Sequence, residues 1–120
     1  MLSIWQHLKA KVFLDQFELQ ACFASAHTFG CGSQFHKDGR ADLHDATAVL
    51  YVHPTWVPEW GGELVFEKSF DDPFQKSILP LPNRMVLQPP DLPHAVRSPS
   101  RDCPALRVSL VFRLKKIRQN

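Results

Sequence analysis

The chain has 120 residues, 44% of them hydrophobic, with a formal charge of +2 and a pI near 8.5. That length and apolar content suit one packed domain and exclude a disordered chain. The mild charge argues against a nucleic-acid or membrane-surface partner, and no apolar run approaches the ~20 residues that span a bilayer.

Cys22, Cys31 and Cys103 are odd in number and lack C-x-x-C spacing. They fit neither a disulfide framework nor a structural zinc knuckle, and point to a reducing, cytoplasmic setting. The N-terminal MLSIWQHLKAKVFL is too interrupted by polar residues for a signal peptide.

Apolar residues at 4, 5, 8, 12 and 13 follow a helical period and predict a helix from Leu2 to about Leu14, with Ser3 as its cap. From Phe17 the period becomes two. Phe17, Leu19, Ala21 and Phe23 alternate with Glu18, Gln20 and Cys22, which reads as a strand running towards Phe29. Gly30 and Gly32 break it. Further strands are expected over 47–53 (TAVLYVH), 63–66, 84–88 and 106–114. Asp71–Pro73 reads as a turn, and the 70–76 connection as short. The ten prolines fall almost entirely between these runs. Many short strands with Gly and Pro punctuation argue for a mostly β sandwich, barrel or jelly roll with a short N-terminal helix. The expected division is helix over 1–16, core over 17–114 and a solvated basic tail over 115–120. Four basic residues cluster between Arg113 and Arg118.

GCGSQFHKDG places His36 and Asp38 two apart. In an extended segment such side chains share a face and can converge on one ion. An H-x-D pair alone is common, and a third ligand must come from elsewhere. Among the other histidines, His7 belongs to the helix, His27 to the approach to the glycine turn, His44 to a loop and His53 to a strand end. His94, in PPDLPHAV, is either a turn histidine or the missing ligand. Two histidines and one carboxylate make the facial set that suits non-haem Fe(II) and leaves positions open for chemistry.

On the last strand Arg107, Ser109 and Val111 share one face. An inward-facing Arg needs an anion, and a planar guanidinium holds a carboxylate in a bidentate fork. Ser109 can add a hydroxyl, as can Tyr51 from the 47–53 strand. The alternative is a solvated strand-edge Arg107 and a half-buried core tyrosine.

Taken together, AHTFGCGSQFHKDG, TAVLYVHPTWVPEWGGELVFE, PNRMVLQPPDLPHAV and LRVSLVF resemble, in order and spacing, the catalytic core of the Fe(II)- and 2-oxoglutarate-dependent dioxygenases, on the prolyl 4-hydroxylase-like branch. The resemblance covers about residues 21 to 114, and W-x-x-E-x-GGEL is its most specific part. It implies a double-stranded β-helix, a metal triad of His36, Asp38 and His94, and a 2-oxoglutarate carboxylate anchor at Arg107 with Ser109 and Tyr51. In the strand before H-x-D, where relatives often place Tyr or Leu, this chain has His27 or Phe29. Trp56 and Gly61–Gly62 match positions that shape the barrel mouth.

The implied activity is hydroxylation of a prolyl or other peptidyl or amino-acid C–H bond with release of succinate and CO2. The implied requirements are Fe(II), 2-oxoglutarate and O2, with ascorbate as a further candidate. Asp38 stands where related halogenases carry a small residue, which favours hydroxylation. The substrate would be a peptide, protein or small molecule. Relatives carry more helix before the barrel, so this chain reads as a minimal version, a truncated one, or half of a homodimer that covers an exposed sheet. The rival readings are a non-catalytic or truncated jelly roll that binds a metal or small acid, and a cupin-like metal enzyme without 2-oxoglutarate. An inward Arg107 argues against the second rival.

Overall fold

The structure, a computed structural model, describes residues 2–38, 44–67 and 76–117. The Asp71–Pro73 turn, most of the 70–76 connection and the end of the basic tail lie outside the described residues.

The N-terminal helix is shorter and less regular than the apolar spacing predicts. α1 spans Leu2–His7 and passes directly into a π-helical turn, Leu8–Val12. Ser3 therefore sits inside the first turn rather than at a cap. The Phe13 amide bonds the Leu8 carbonyl at 2.8 Å, a five-residue step that widens the turn. Trp5, Leu8 and Phe13 are buried as a result, whereas Ile4 and Val12 stay exposed. Leu14 and Asp15 both adopt positive φ, reversing the chain into the first strand.

Among the described residues seven strands follow: β1 Phe17–His27, β2 Ala46–Tyr51, β3 Leu64–Phe66, β4 Lys76–Ile78, β5 Met85–Gln88, β6 His94–Val96 and β7 Arg107–Lys116. They form two antiparallel sheets, of order β1-β7-β2-β5 and β4-β3-β6. β4 carries no sequence signal of its own. β7 runs two residues beyond Leu114, so Lys115 and Lys116 belong to a strand.

The expected alternation of β1 fails at Gln20. The register against β7 slips between Leu19 and Ala21, so the strand is bulged there. Before the bulge Phe17 and Leu19 face the helix. After it Cys22 takes that side, and Phe23, Ser25 and His27 turn the other way.

One core lies between the four-stranded sheet and the helix. Trp5, Leu8 and Phe13 pack on Ala46, Ala48, Leu110, Phe112 and Leu114. Ring centroids of Trp5 and Phe112 are 6.0 Å apart. A second core, with Tyr51, Leu64, Phe66 and Val86, lies between the two sheets. Alternate residues of β2 feed the two cores, as the pleat demands, while β7 turns Leu110, Phe112 and Leu114 to the first. Among the described residues, no helix is long and apolar enough to cross a membrane.

Phe112 is fully buried at the centre of the first core. Phe112→Ala is expected to cost about 3–5 kcal/mol in urea unfolding, whereas Val12→Ala, at an exposed position, should stay within about 0.5 kcal/mol. Similar losses for both would contradict this packing.

Candidate active site

Residues 30–38 are not a named strand, yet they run antiparallel alongside β6. The Gly30 amide bonds Ser98 Oγ at 2.7 Å. The Ser33 amide bonds the Val96 carbonyl at 2.9 Å, and the Val96 amide returns to Ser33 Oγ at 3.0 Å. Gly32 approaches so closely that a Cβ there would lie 2.7 Å from the Val96 carbonyl oxygen. This contact is what the glycine-rich stretch serves.

His36 and His94 exchange backbone hydrogen bonds, both 2.9 Å, as an antiparallel bridge. Residues paired in this way project to one side of the sheet. Asp38, two residues on, projects to the same side. The Asp38 amide bonds the Pro90 carbonyl at 3.1 Å, which ties it to the loop that leads to His94. Strand geometry alone thus gathers two histidines and a carboxylate from distant parts of the chain. Their donor atoms lie within 4.8 Å of one another.

The ring orientations suit a cation. His36 Nδ1 donates to the Gln34 carbonyl at 2.9 Å, and His94 Nδ1 to the Leu92 carbonyl at 3.0 Å. These bonds commit both Nδ1 atoms to backbone carbonyls and turn both Nε2 atoms towards Asp38, the outer-partner arrangement found behind ligating histidines. His94 Nε2 lies 3.2 Å and His36 Nε2 3.9 Å from Asp38 Oδ1. Burial pushes the Asp38 carboxyl up, but the bond and charge of His94, with help from Thr47 and Gln88, outweigh it and hold the pKa at about 2. Burial pulls His94 down, but Asp38 and the Leu92 carbonyl outweigh it and raise its pKa. A positive charge is therefore favoured between the two, as a proton or as a metal ion.

Gln88 and Thr47, neither singled out in the sequence, support this cluster, and His44, read there as a loop residue, backs Thr47. Gln88 Nε2 donates to Asp38 Oδ2 at 3.1 Å and lies 3.3 Å from His94 Nε2. His44 Nε2 meets Thr47 Oγ1 at 3.2 Å. Strand parity could have placed Gln88 on a face with Val86, but not the face of the metal cluster.

At the other end of the cavity Arg107 is only 2% exposed. Its Nε donates to the Gly62 carbonyl at 2.7 Å and its Nη2 to Tyr51 Oη at 3.3 Å. Tyr51 and Ser109 are cross-strand partners, so all three polar groups line one wall. Among the described residues no carboxylate forms an ion pair with Arg107. Burial lowers the Arg107 pKa, and burial raises that of Tyr51. Both shifts follow from withdrawal of the pair from water.

A cavity of about 250 Å³ joins the two ends. The six candidate residues His36, Asp38, His94, Arg107, Ser109 and Tyr51 all line it. His27 also lines it, directly across from Arg107 on β1. Phe29 does not. It is exposed, with Arg101 over its ring at 5.3 Å. His7 is exposed on the helix. His53 is buried, with Nδ1 accepting from the Val108 amide and Nε2 donating to the Pro80 carbonyl, so it acts as a structural pin.

The W-x-x-E-x-GGEL segment buttresses the anchor. Gly62 has φ +72°, and a Cβ there would lie 2.9 Å from Trp56 and 3.2 Å from Arg107 Cδ. Trp56 Nε1 donates to the Gly61 carbonyl at 3.0 Å. Gly62→Ala is expected to destabilise the chain by roughly 1–3 kcal/mol in thermal unfolding. An unchanged melting temperature would contradict the close approach.

Residues 22–113 match the 2OG-Fe(II) oxygenase superfamily. No curated protein matches the sequence. Among solved structures, a Pseudomonas putida prolyl-4-hydroxylase superposes with TM-score 0.66 at 24% identity, over 98% of this chain and 63% of that one. A Burkholderia pseudomallei oxidoreductase of the 2OG-Fe(II) oxygenase family gives 0.71 at 16%, over 94% and 57%. A Trichoplax adhaerens prolyl hydroxylase, in complex with a peptide fragment of the hypoxia inducible factor oxygen degradation domain, gives 0.69 at 20%, over 96% and 54%. The chain thus spans roughly three-fifths of the length of these proteins. Their likeness establishes the jelly-roll fold, and the match over residues 22–113 establishes the lineage: this chain belongs to the 2OG-Fe(II) oxygenase superfamily.

Proposed function

We propose that the chain is a 2-oxoglutarate-dependent iron hydroxylase in which His36, Asp38 and His94 hold the metal and Arg107 anchors the cosubstrate. The observation that carries this reading is one cavity with a cation-seeking cluster at one end and, at the other, a buried guanidinium that has no ion pair among the described residues.

Two imidazoles and one carboxylate suit Fe(II), and a three-residue set leaves coordination positions for other ligands. Bound iron would supply oxygen activation coupled to decarboxylation of 2-oxoglutarate to succinate and CO2, with hydroxylation of a substrate C–H bond. The residues of the chain bind and orient. Arg107 would take the distal carboxylate in its fork, while Tyr51 and Ser109 offer hydroxyl donors along the same wall. Gln88 would hold the Asp38 and His94 side chains in ligating orientation. The two sheets and the Trp56–Gly62 turn would keep bulk water from the cosubstrate.

The prolyl hydroxylases of similar fold make a peptidyl or amino-acid C–H bond the natural first substrate class. On this reading residues 17–114 form the catalytic core and residues 1–16 cover one face of its larger sheet.

Asp38→Ala should lower succinate release by more than about 100-fold, since outer partners of a metal site alone are worth about 10–100-fold. The far-ultraviolet dichroism should be unchanged. Succinate release that survives the substitution would refute the ligand set. Metal affinity should also depend on pH. The raised pKa of His94 lets a proton hold Nε2 against the metal until the medium becomes more alkaline. Mn(II) titrations should therefore weaken from about pH 8 to about pH 6. A flat profile would count against metal binding at His94.

A further inference from the structure

The sequence places Arg113 at the start of a solvated basic cluster. In the fold it is turned inward. Arg113 lies on the cavity face of β7 with Arg107, Ser109 and Val111. Its Nε is buried and, among the described residues, has no hydrogen-bond partner. Among the described residues no carboxylate forms an ion pair with it. Its guanidinium lies over the Phe23 ring, 5.5 Å from the centroid.

A buried N–H without a partner is costly and calls for an acceptor. The position indicates which acceptor. Six residues, or ~20 Å of extended strand, separate Arg113 from Arg107. Arg113, Thr47 and Gln88 occupy one rung across β7, β2 and β5. Gln88, the third member of the rung, touches Asp38 and His94. Arg113 therefore serves the metal end of the cavity, and Arg107 the opposite end. A keto acid anchored at Arg107 approaches the metal cluster from one side. A molecule to be oxidised must approach from another.

We propose that Arg113 is a specificity-determining residue that takes a substrate carboxylate lying within about one residue of the oxidised carbon. The inference rests on the 2-oxoglutarate-dependent reading and names the substrate class it implies. A guanidinium that meets a phenyl ring rather than a carboxylate has donors to offer a bidentate carboxylate. The cavity, about 250 Å³ in all, is smaller than the ~300–1,000 Å³ pockets that enclose drug-sized ligands. Beside the cosubstrate it admits only a small part of a substrate. The carboxylate then belongs to a free amino acid, or to the terminal residue of a peptide.

The test is calorimetric, on the full chain loaded with redox-inert Mn(II) and 2-oxoglutarate. The probes are the proteinogenic L-amino acids against their carboxamides, and short peptides with a free against an amidated C-terminus. At least one acid should bind about tenfold more tightly than its amide, and whether it is a free amino acid or a peptide identifies the source. Arg113→Gln should remove that preference and Arg113→Lys should keep part of it. Both variants should bind 2-oxoglutarate within about twofold of the parent. If Arg113→Gln loses its cooperative melt, the Lys variant carries the comparison. Acids and amides that bind alike, or no binding by any probe, overturn the proposal. So does a tenfold loss of 2-oxoglutarate affinity with the acid preference intact, since Arg113 would then serve the cosubstrate. A parent chain that takes up no 2-oxoglutarate overturns the functional reading, and this inference with it.

Discussion

A guanidinium buried between two sheets is the constraint around which the rest of the structure is arranged. Arg107 is 2% exposed and is held by the Gly62 carbonyl and the Tyr51 phenol, both neutral. Removing a cation from water costs several kcal/mol, and neutral partners recover only part of that. A line of contacts keeps it there. The Pro80 carbonyl and the Val108 amide fix the His53 ring, which lies 4.6 Å from Trp56 between centroids. Trp56 grips the Gly61 carbonyl, and the adjoining Gly62 meets Arg107. The GGEL turn thus helps to hold the Arg107 side chain, and Gly62 is required there by both φ and space.

The opposite end of the cavity has the complementary need. A cation is favoured beside Asp38 and His94, and the carbonyls of Gln34 and Leu92, by binding the Nδ1 atoms, aim both Nε2 atoms towards it. A ligand with metal-binding oxygens at one end and a carboxylate at the other satisfies both ends together. Its binding energy would stabilise the folded state by mass action. Neither end is arranged by loops alone. β7 and β2 carry Arg107, Ser109 and Tyr51, and the 30–38 segment zipped to β6 brings together His36, Asp38 and His94.

Most of the strands were legible because they rest on a period of two, and so was the shared face of the paired candidate residues. His36 and Asp38, or Arg107 and Ser109, share a face in any extended segment, and the pleat does the rest. That His94 would lie across from His36 was not legible from spacing, because it depends on pairing between segments 58 residues apart. The resemblance supplied it. The bulge at Gln20 escaped the alternation rule, since one extra residue reverses the faces without any change in composition. The helix stopped at His7 because a five-residue step let Trp5, Leu8 and Phe13 reach the sheet together, a tertiary gain that outweighs helical regularity. Gln88, His44 and Thr47 were missed because a lone amide, imidazole or hydroxyl on a strand carries no sign of what it will face. Arg113 was misread as part of a tail because charge clusters look the same whether or not one member turns inward.

The most direct test of the account is anaerobic absorption spectroscopy of the purified chain with Fe(II), to which 2-oxoglutarate is then added. A visible charge-transfer band should appear on chelation, and it should need a far higher 2-oxoglutarate concentration in Arg107→Ala. A folded parent chain that gives no band, or a band indifferent to Arg107, would contradict the two-ended site.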